Sequence, residues 1–272
     1  MICVIGSNGF VGKNFCKFLI KKKQNFFGLS RKNLNSKSYI KINLSNLKKL
    51  EKILNAKKPN VIVNLAAKVD FKKKKYLKCK INFDLPKFLT DYSAKKKIKF
   101  IQMSGSIVHG SQFKSYSTNT PLKPDSNYGK NKLKADEYIQ KKKKDYVIIR
   151  TGGIYGKGGP FHLGINKSIS DGLKKIKPKL EGKGNFIRNY IYVNDLCRFI
   201  YLTIKKNKKG VFYIGGEKIK LKKIIKIISN KFTKGKYEHI KNNKIIKNQI
   251  IKNNISFKYT SFKKTIDEVA VL

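Results

Sequence analysis

Residues 6–12 read Gly6-Ser7-Asn8-Gly9-Phe10-Val11-Gly12, between a short apolar run and a helix-like pattern. No other segment constrains the chain as strongly. The preceding Ile2–Ile5 is a strand pattern that is apolar on both faces. The following Phe10–Lys22 keeps Val11, Phe15, Phe18 and Leu19 on one helical face. Glycine permits the tight strand-to-helix turn and lets backbone amides approach a pyrophosphate at the positive end of the helix. Gly12 lets that helix pack closely on the strand. The spacing is G-x-x-G-x-x-G rather than G-x-G-x-x-G, so its weight comes from the strand before it and the helix after it. Gly6, Asn8, Gly9, Phe10, Val11 and Gly12 are therefore candidate dinucleotide-binding residues.

The alternation continues through the first half of the chain. Phe26–Leu29, Tyr39–Ile42, Val61–Leu65, Ile98–Met103 and Tyr146–Ile149 read as strands, short and rich in Val, Ile and Phe, as buried parallel strands are. Leu47–Ala56, Leu85–Lys95 and Asn127–Lys142 read as helices between them. This rhythm predicts an α/β fold, a Rossmann-type doubly wound parallel sheet. After Arg150 it breaks into a glycine-rich loop, Gly152 to Gly164. A helix near Asn194–Ile204, a strand at Val211–Ile214 and a helix at Leu221–Lys231 follow, and residues 234–254 carry no clear pattern. The predicted division is a nucleotide-binding domain over 1–155 and a small C-terminal α+β substrate lobe over 156–272, interleaved with the sheet around 185–215.

The second strand runs into Gly28-Leu29-Ser30-Arg31-Lys32. An acidic residue there would accept from a free ribose 2′-hydroxyl, and none is present. Arg31, with Ser30, suits a 2′-phosphate instead, which favours NADP while leaving NAD possible. Further on, Tyr128-Gly129-Lys130-Asn131-Lys132 opens a helix. Residues four apart share a helix face, so Tyr128 and Lys132 point the same way. A free phenol ionises near ~10, too high for a base at neutral pH. A neighbouring ammonium and an oxidised nicotinamide both favour phenolate.

At this point the chain resembles an extended short-chain dehydrogenase/reductase, the NAD-dependent epimerase/dehydratase family of nucleotide-sugar enzymes. Gly6–Gly12, Asn64-Leu65-Ala66-Ala67, Met103–Gly110, Tyr128–Leu133, Arg150–Gly156 and Arg188–Leu196 carry the resemblance, in order. It implies that Asn43 and Leu44 lie near the adenine, that Leu65, Ala66 and Ala67 line the cofactor, and that Asn82 supports the catalytic helices. It also implies that Arg188 binds the substrate's diphosphate, a bidentate task suited to guanidinium, while Asp195 anchors the fold. The family's catalytic Ser or Thr aligns with Gly105, which leaves Ser104 and Ser106 as candidates for that hydroxyl. His109 stands where a Tyr is usual. The Asp-Glu that 4,6-dehydratases carry after their Thr is missing, which disfavours dehydration.

The resemblance implies an enzyme that moves a hydride at a sugar carbon, as a keto-sugar reductase or a 4-epimerase, with Tyr128 and Lys132 catalytic. The alternative is a catalytically weak dinucleotide-binding sensor or scaffold, for which Gly105 is the best support. The formal charge of +49 raises a third reading, nucleic-acid binding. Only Arg31, Arg150, Arg188 and Arg198 among the 64 basic residues are arginines, however, and Lys runs such as Lys21–Lys23, Lys72–Lys75 and Lys141–Lys144 fall at helix ends and loops. No specific nucleic-acid partner is expected. Cys3, Cys16, Cys79 and Cys197 are scattered, without metal-ligand spacing, and read as free thiols. A cytoplasmic homodimer without a bound metal or a membrane segment is the expectation.

Overall fold

The computed structural model describes residues 1–32, 36–70, 76–241 and 246–271; the Lys72–Lys75 run lies outside the described residues. Seven strands form one sheet: β1 (Ile2–Ile5), β2 (Phe26–Ser30), β3 (Tyr39–Lys41), β4 (Val61–Asn64), β5 (Lys99–Met103), β6 (Tyr146–Thr151) and β7 (Gly210–Ile214). Their spatial order is β7-β6-β5-β4-β1-β2-β3. β1 pairs in parallel with both β2 and β4, and β2–β3, β4–β5 and β5–β6 are parallel as well. After β3 the chain crosses back to β4 on the other side of β1. That reversal makes the carboxyl end of β1 a switch point, where open α/β sheets form a crevice.

The strands β1, β2, β4 and β5 are buried along their whole length, whereas the edge strand β3 is half-buried to exposed. Cys3, Ile5, Leu29, Ile62, Phe100 and Ile148 are at or near zero exposure. Burying each such aliphatic or aromatic side chain contributes roughly 1.5–3 kcal/mol. The helices around the sheet are α1 (Phe10–Lys21), α2 (Leu47–Lys57), α3 (Leu85–Lys95) and α4 (Asn127–Lys142). Asn46 caps α2 by accepting from Lys49 N, and Ser126 caps α4 by accepting from Gly129 N. These elements, the later helix Val193–Lys205 and the helix Leu221–Phe232 agree with the predicted ones to within two residues at each end.

The chain divides into two compact units. The first comprises Met1–Gln112, Pro121–Arg150 and Cys197–Phe212; the second comprises Phe113–Thr120, Thr151–Leu196 and Tyr213–Leu272. Within the second, two-residue strands pair as Ile154–Tyr155 with Ile191–Tyr192, Ile187–Arg188 with Ile219–Lys220, and Ser115–Tyr116 with Ile250–Ile251. Lys179–Glu181 pairs with Glu238–Ile240. Helices Gly164–Leu173 and Phe262–Val271 join Leu221–Phe232 there. The sequence reading did not foresee these short strands, nor the helices at 164–173 and 262–271. Two-residue ladders are too short to show a period of two.

Candidate active site

The glycine loop turns at the end of β1. Gly6 has φ +80, and a Cβ on it would lie 2.8 Å from Ala66 N. A Cβ on Gly12 would overlap the Gly6 carbonyl oxygen. Loop, first helical turn and the segment after β4 therefore close on one another only without those side chains. Gly6 N donates to Leu29 O (2.9 Å), and Leu65 N donates to Ile5 O (2.9 Å), so the ends of β1, β2 and β4 are tied together. Gly9 begins α1, and no side chain caps that helix. Ser7 Oγ is buried without a hydrogen-bond partner. An uncapped helix start beside an unsatisfied hydroxyl, in a cradle that side chains would fill, fits a dinucleotide's phosphates.

Around this loop, Leu44 and Ala66 are buried and Leu65 is half-buried. Ala66 N donates to Asn64 Oδ1 (3.2 Å), while Asn43 Oδ1 accepts from Ser45 N (3.1 Å). Ser30 Oγ donates to Lys32 O (2.8 Å), which fixes the turn after β2 and leaves Arg31 exposed. Asn82 binds the Lys68 backbone twice, as acceptor from N (2.9 Å) and donor to O (2.7 Å). It clips the segment after β4 to the π-helical turn Lys80–Asp84 that leads into α3.

Tyr128 and Lys132 lie one turn apart on α4, the ammonium 5.9 Å from the centre of the phenol ring. Lys132 is 1% exposed, and its Nζ donates to Met103 O at the end of β5 (2.8 Å). Burial pushes the Tyr128 phenol up to about 12 and pulls the Lys132 ammonium down to about 8. In the protein alone, burial and then the nearby Asp136 both hold the proton on, so Tyr128 is a neutral phenol rather than the phenolate that the ammonium was expected to favour. Asn131, between them in sequence, donates to Leu77 O (2.9 Å) and accepts from Cys79 N (2.9 Å), holding that segment against α4.

Of the two candidate hydroxyls, Ser104 is buried and donates its only proton to Asp136 Oδ2 (2.8 Å). Ser106 is half-buried and opens the short turn Ser106–His109. Gly129 allows that turn to approach α4, since a Cβ there would lie 2.6 Å from Ile107 O. Gly105 between the two serines is extended, with φ −170, a conformation open to any residue. His109 is fully buried, with Nδ1 3.0 Å from Pro121 O.

In the second unit, Arg188 Nη1 donates to Lys247 O (2.6 Å) and Ile187 O (3.1 Å), and its guanidinium lies 4.6 Å over the Phe186 ring. Asp195 accepts from Thr260 N (2.7 Å) and Thr260 Oγ1 (2.8 Å), which fits an anchoring role. The sequence reading overlooked Asp136 and its partner Arg150 (Nε to Oδ2, 3.0 Å). Extending the helical spacing of Tyr128 and Lys132 by four more residues would have found the acid.

The model of the "NAD dependent epimerase/dehydratase family" matches residues 2–215. A dTDP-D-glucose 4,6-dehydratase of Dictyostelium discoideum is 28% identical over 249 residues, 78% of this chain and 57% of that protein. The chain thus spans little more than half the length of that relative. Among solved structures, a UDP-N-acetylglucosamine 4-epimerase from Bacillus cereus superposes with a TM-score of 0.83 at 20% identity, covering 99% of this chain and 98% of that one. A dTDP-4-dehydrorhamnose reductase from Bacillus anthracis in complex with NADP gives 0.79 at 17% identity, covering 99% and 98%.

Proposed function

The chain belongs to the NAD-dependent epimerase/dehydratase family, and from that premise we propose that it is an NAD(P)-dependent oxidoreductase acting on a nucleotide sugar. The observation that carries this reading is the buried Lys132 ammonium, tied to Met103 O and 5.9 Å from the Tyr128 ring on the same helical face. Taking an ammonium out of water costs free energy that is offset only by its partners, so its placement beside a phenol calls for a reason. Beside a cofactor, the same pair is a proton-transfer device.

When bound, a nicotinamide cofactor would supply the hydride exchanged with a sugar carbon. Gly6, Asn8, Gly9, Phe10, Val11 and Gly12 would hold the pyrophosphate, Asn43 and Leu44 the adenine side, and Leu65, Ala66 and Ala67 would form the remaining wall. Tyr128 gives its proton to the sugar oxygen in reduction and takes it back in oxidation. Lys132 has three N–H donors, one of them used on Met103 O. The others would serve the ribose of the bound cofactor and the phenol oxygen, and the charge of the ammonium favours phenolate once the proton has left. Ser106 donates to the substrate oxygen; the Ser104 proton is engaged by Asp136. Arg188 binds the diphosphate of the substrate.

Arg31 favours NADP, which suits a reductase that binds reduced cofactor and releases it oxidised. An epimerase would keep its cofactor between half-reactions. The four cysteines are free thiols, and no helix among the described residues is long and apolar enough to cross a membrane. The reading is completed by a cytoplasmic setting, a homodimer formed through α3 and α4, and a boundary near residue 155 between nucleotide and substrate lobes. Purified protein mixed with NADPH and a panel of nucleotide keto-sugars should consume the reduced nicotinamide. Tight stoichiometric NAD on the purified protein, with no net consumption, would turn the assignment to the epimerase. Absence of any turnover with either class would sink it.

A further inference from the structure

Lys132 belongs to a buried ionic set that the proton-transfer roles alone leave unexplained. Asp136 is fully buried, four residues after Lys132 and eight after Tyr128, so the three share a face of α4. Its Oδ2 accepts from Ser104 Oγ (2.8 Å) and Arg150 Nε (3.0 Å), while Oδ1 is buried without a hydrogen-bond partner. The groups facing it are Tyr128 and Lys132 from α4, Ser104 from the end of β5, and Arg150 and Tyr146 from β6; Cys79 faces Lys132 from the segment before α3. Arg150, at 4% exposure, is nearly as enclosed as Lys132. Little water screens these charges, so each acts strongly on its neighbours.

The set holds two cations and one anion. Arginine keeps its proton in proteins, whereas a buried lysine can lose its own. We propose that Asp136 is the positioning residue that keeps the Lys132 ammonium charged beside Tyr128, and that Arg150 limits how much of the carboxylate's charge reaches the lysine. The proposal rests on reading Tyr128 and Lys132 as the proton-transfer pair. Burial is the main influence lowering Lys132, and Asp136 is the first of those opposing it. Burial likewise raises Asp136, and Arg150 is the first influence holding it down. With Tyr128 neutral the set carries one net positive charge, which a phenolate would cancel.

The test is a pH titration of the Lys132 side chain by NMR, in full-length protein isotope-labelled at the lysine ε-carbon. The resonance is identified by its loss in Lys132→Met. In Asp136→Asn the midpoint should fall by about one pH unit or more, roughly tenfold in the ionisation constant. In Arg150→Gln it should rise. Midpoints unchanged from wild type in both variants would overturn the proposal. If Asp136→Asn does not fold, Asp136→Glu and Arg150→Gln carry the test: the first must leave the midpoint in place and the second must raise it. The pH–rate profile of Asp136→Asn should move both limbs to lower pH, because losing an anion makes lysine and phenol alike easier to deprotonate; a merely structural role would lower the rate and leave the limbs in place. The titration requires no turnover. A Tyr128→Phe variant that kept full activity would refute the catalytic reading on which the proposal rests, while the titration reports separately whether Asp136 holds the proton on Lys132.

Discussion

Lys132 Nζ donates to the Met103 carbonyl oxygen at 2.8 Å, fastening the middle of α4 to the end of β5. One hydrogen bond thus links the carboxyl end of an interior strand of the sheet to the helix that carries the phenol. The bond holds the ammonium in the interior, 5.9 Å from the centre of the Tyr128 ring.

Tyr128→Phe should abolish turnover and leave cofactor affinity nearly unchanged. General acid–base groups contribute about 10²–10⁴-fold, so kcat should fall by that order while cofactor Kd, read by fluorescence quenching, stays close to wild type. A variant with near-wild-type kcat would remove Tyr128 from the chemistry.

Gly12→Ala should be much more damaging than Gly9→Ala. The first Cβ would overlap the Gly6 carbonyl, whereas the second would lie 3.3 Å from it, a contact that a small shift relieves. Overpacking of this kind costs about 1–3 kcal/mol, and the displaced turn should also weaken cofactor binding. Denaturant midpoints and cofactor titration of the two variants check the order.

Stability should depend on pH through Lys132. Its folded value is lowered from 10.5 to about 8. Between those values the unfolded chain binds more protons at this site than the folded one does, so the site's contribution to stability rises with pH across that window. Below it, the cost of burying the ammonium is fully present. Lys132→Met should remove this rise, seen as a smaller difference between denaturant midpoints measured on either side of the window. Equal differences in both proteins would contradict the assignment.

Arg31→Ala should weaken NADP binding and spare NAD. The guanidinium is exposed in the turn after β2, where its only proposed partner is the 2′-phosphate. Charge-assisted hydrogen bonds are worth roughly 1.5–3 kcal/mol, so about tenfold to a hundredfold of the NADP preference should be lost in paired affinity measurements.

Arg188→Lys should raise KM for the nucleotide sugar by about tenfold with a smaller effect on kcat, since lysine keeps the charge but not the bidentate fork. Steady-state kinetics would show this split. An unchanged KM would place the diphosphate elsewhere.

Much of this protein is written locally in the chain. The strands and helices of the sheet unit follow from runs such as Val61–Asn64 and from the helical period in Phe10–Lys21, because each element's burial repeats along its own backbone. The glycine loop and the Tyr128/Lys132 spacing were readable for the same reason: a turn and a helical face are properties of a few consecutive residues. Tertiary structure alone decided which groups share an interior. That Ser104 gives its proton to Asp136 and that Arg150 meets the same carboxylate oxygen depend on contacts across 32 and 14 residues of chain, and the raised Tyr128 phenol depends first on its burial. Desolvation is set by everything packed around a group, and no local pattern of residues records it.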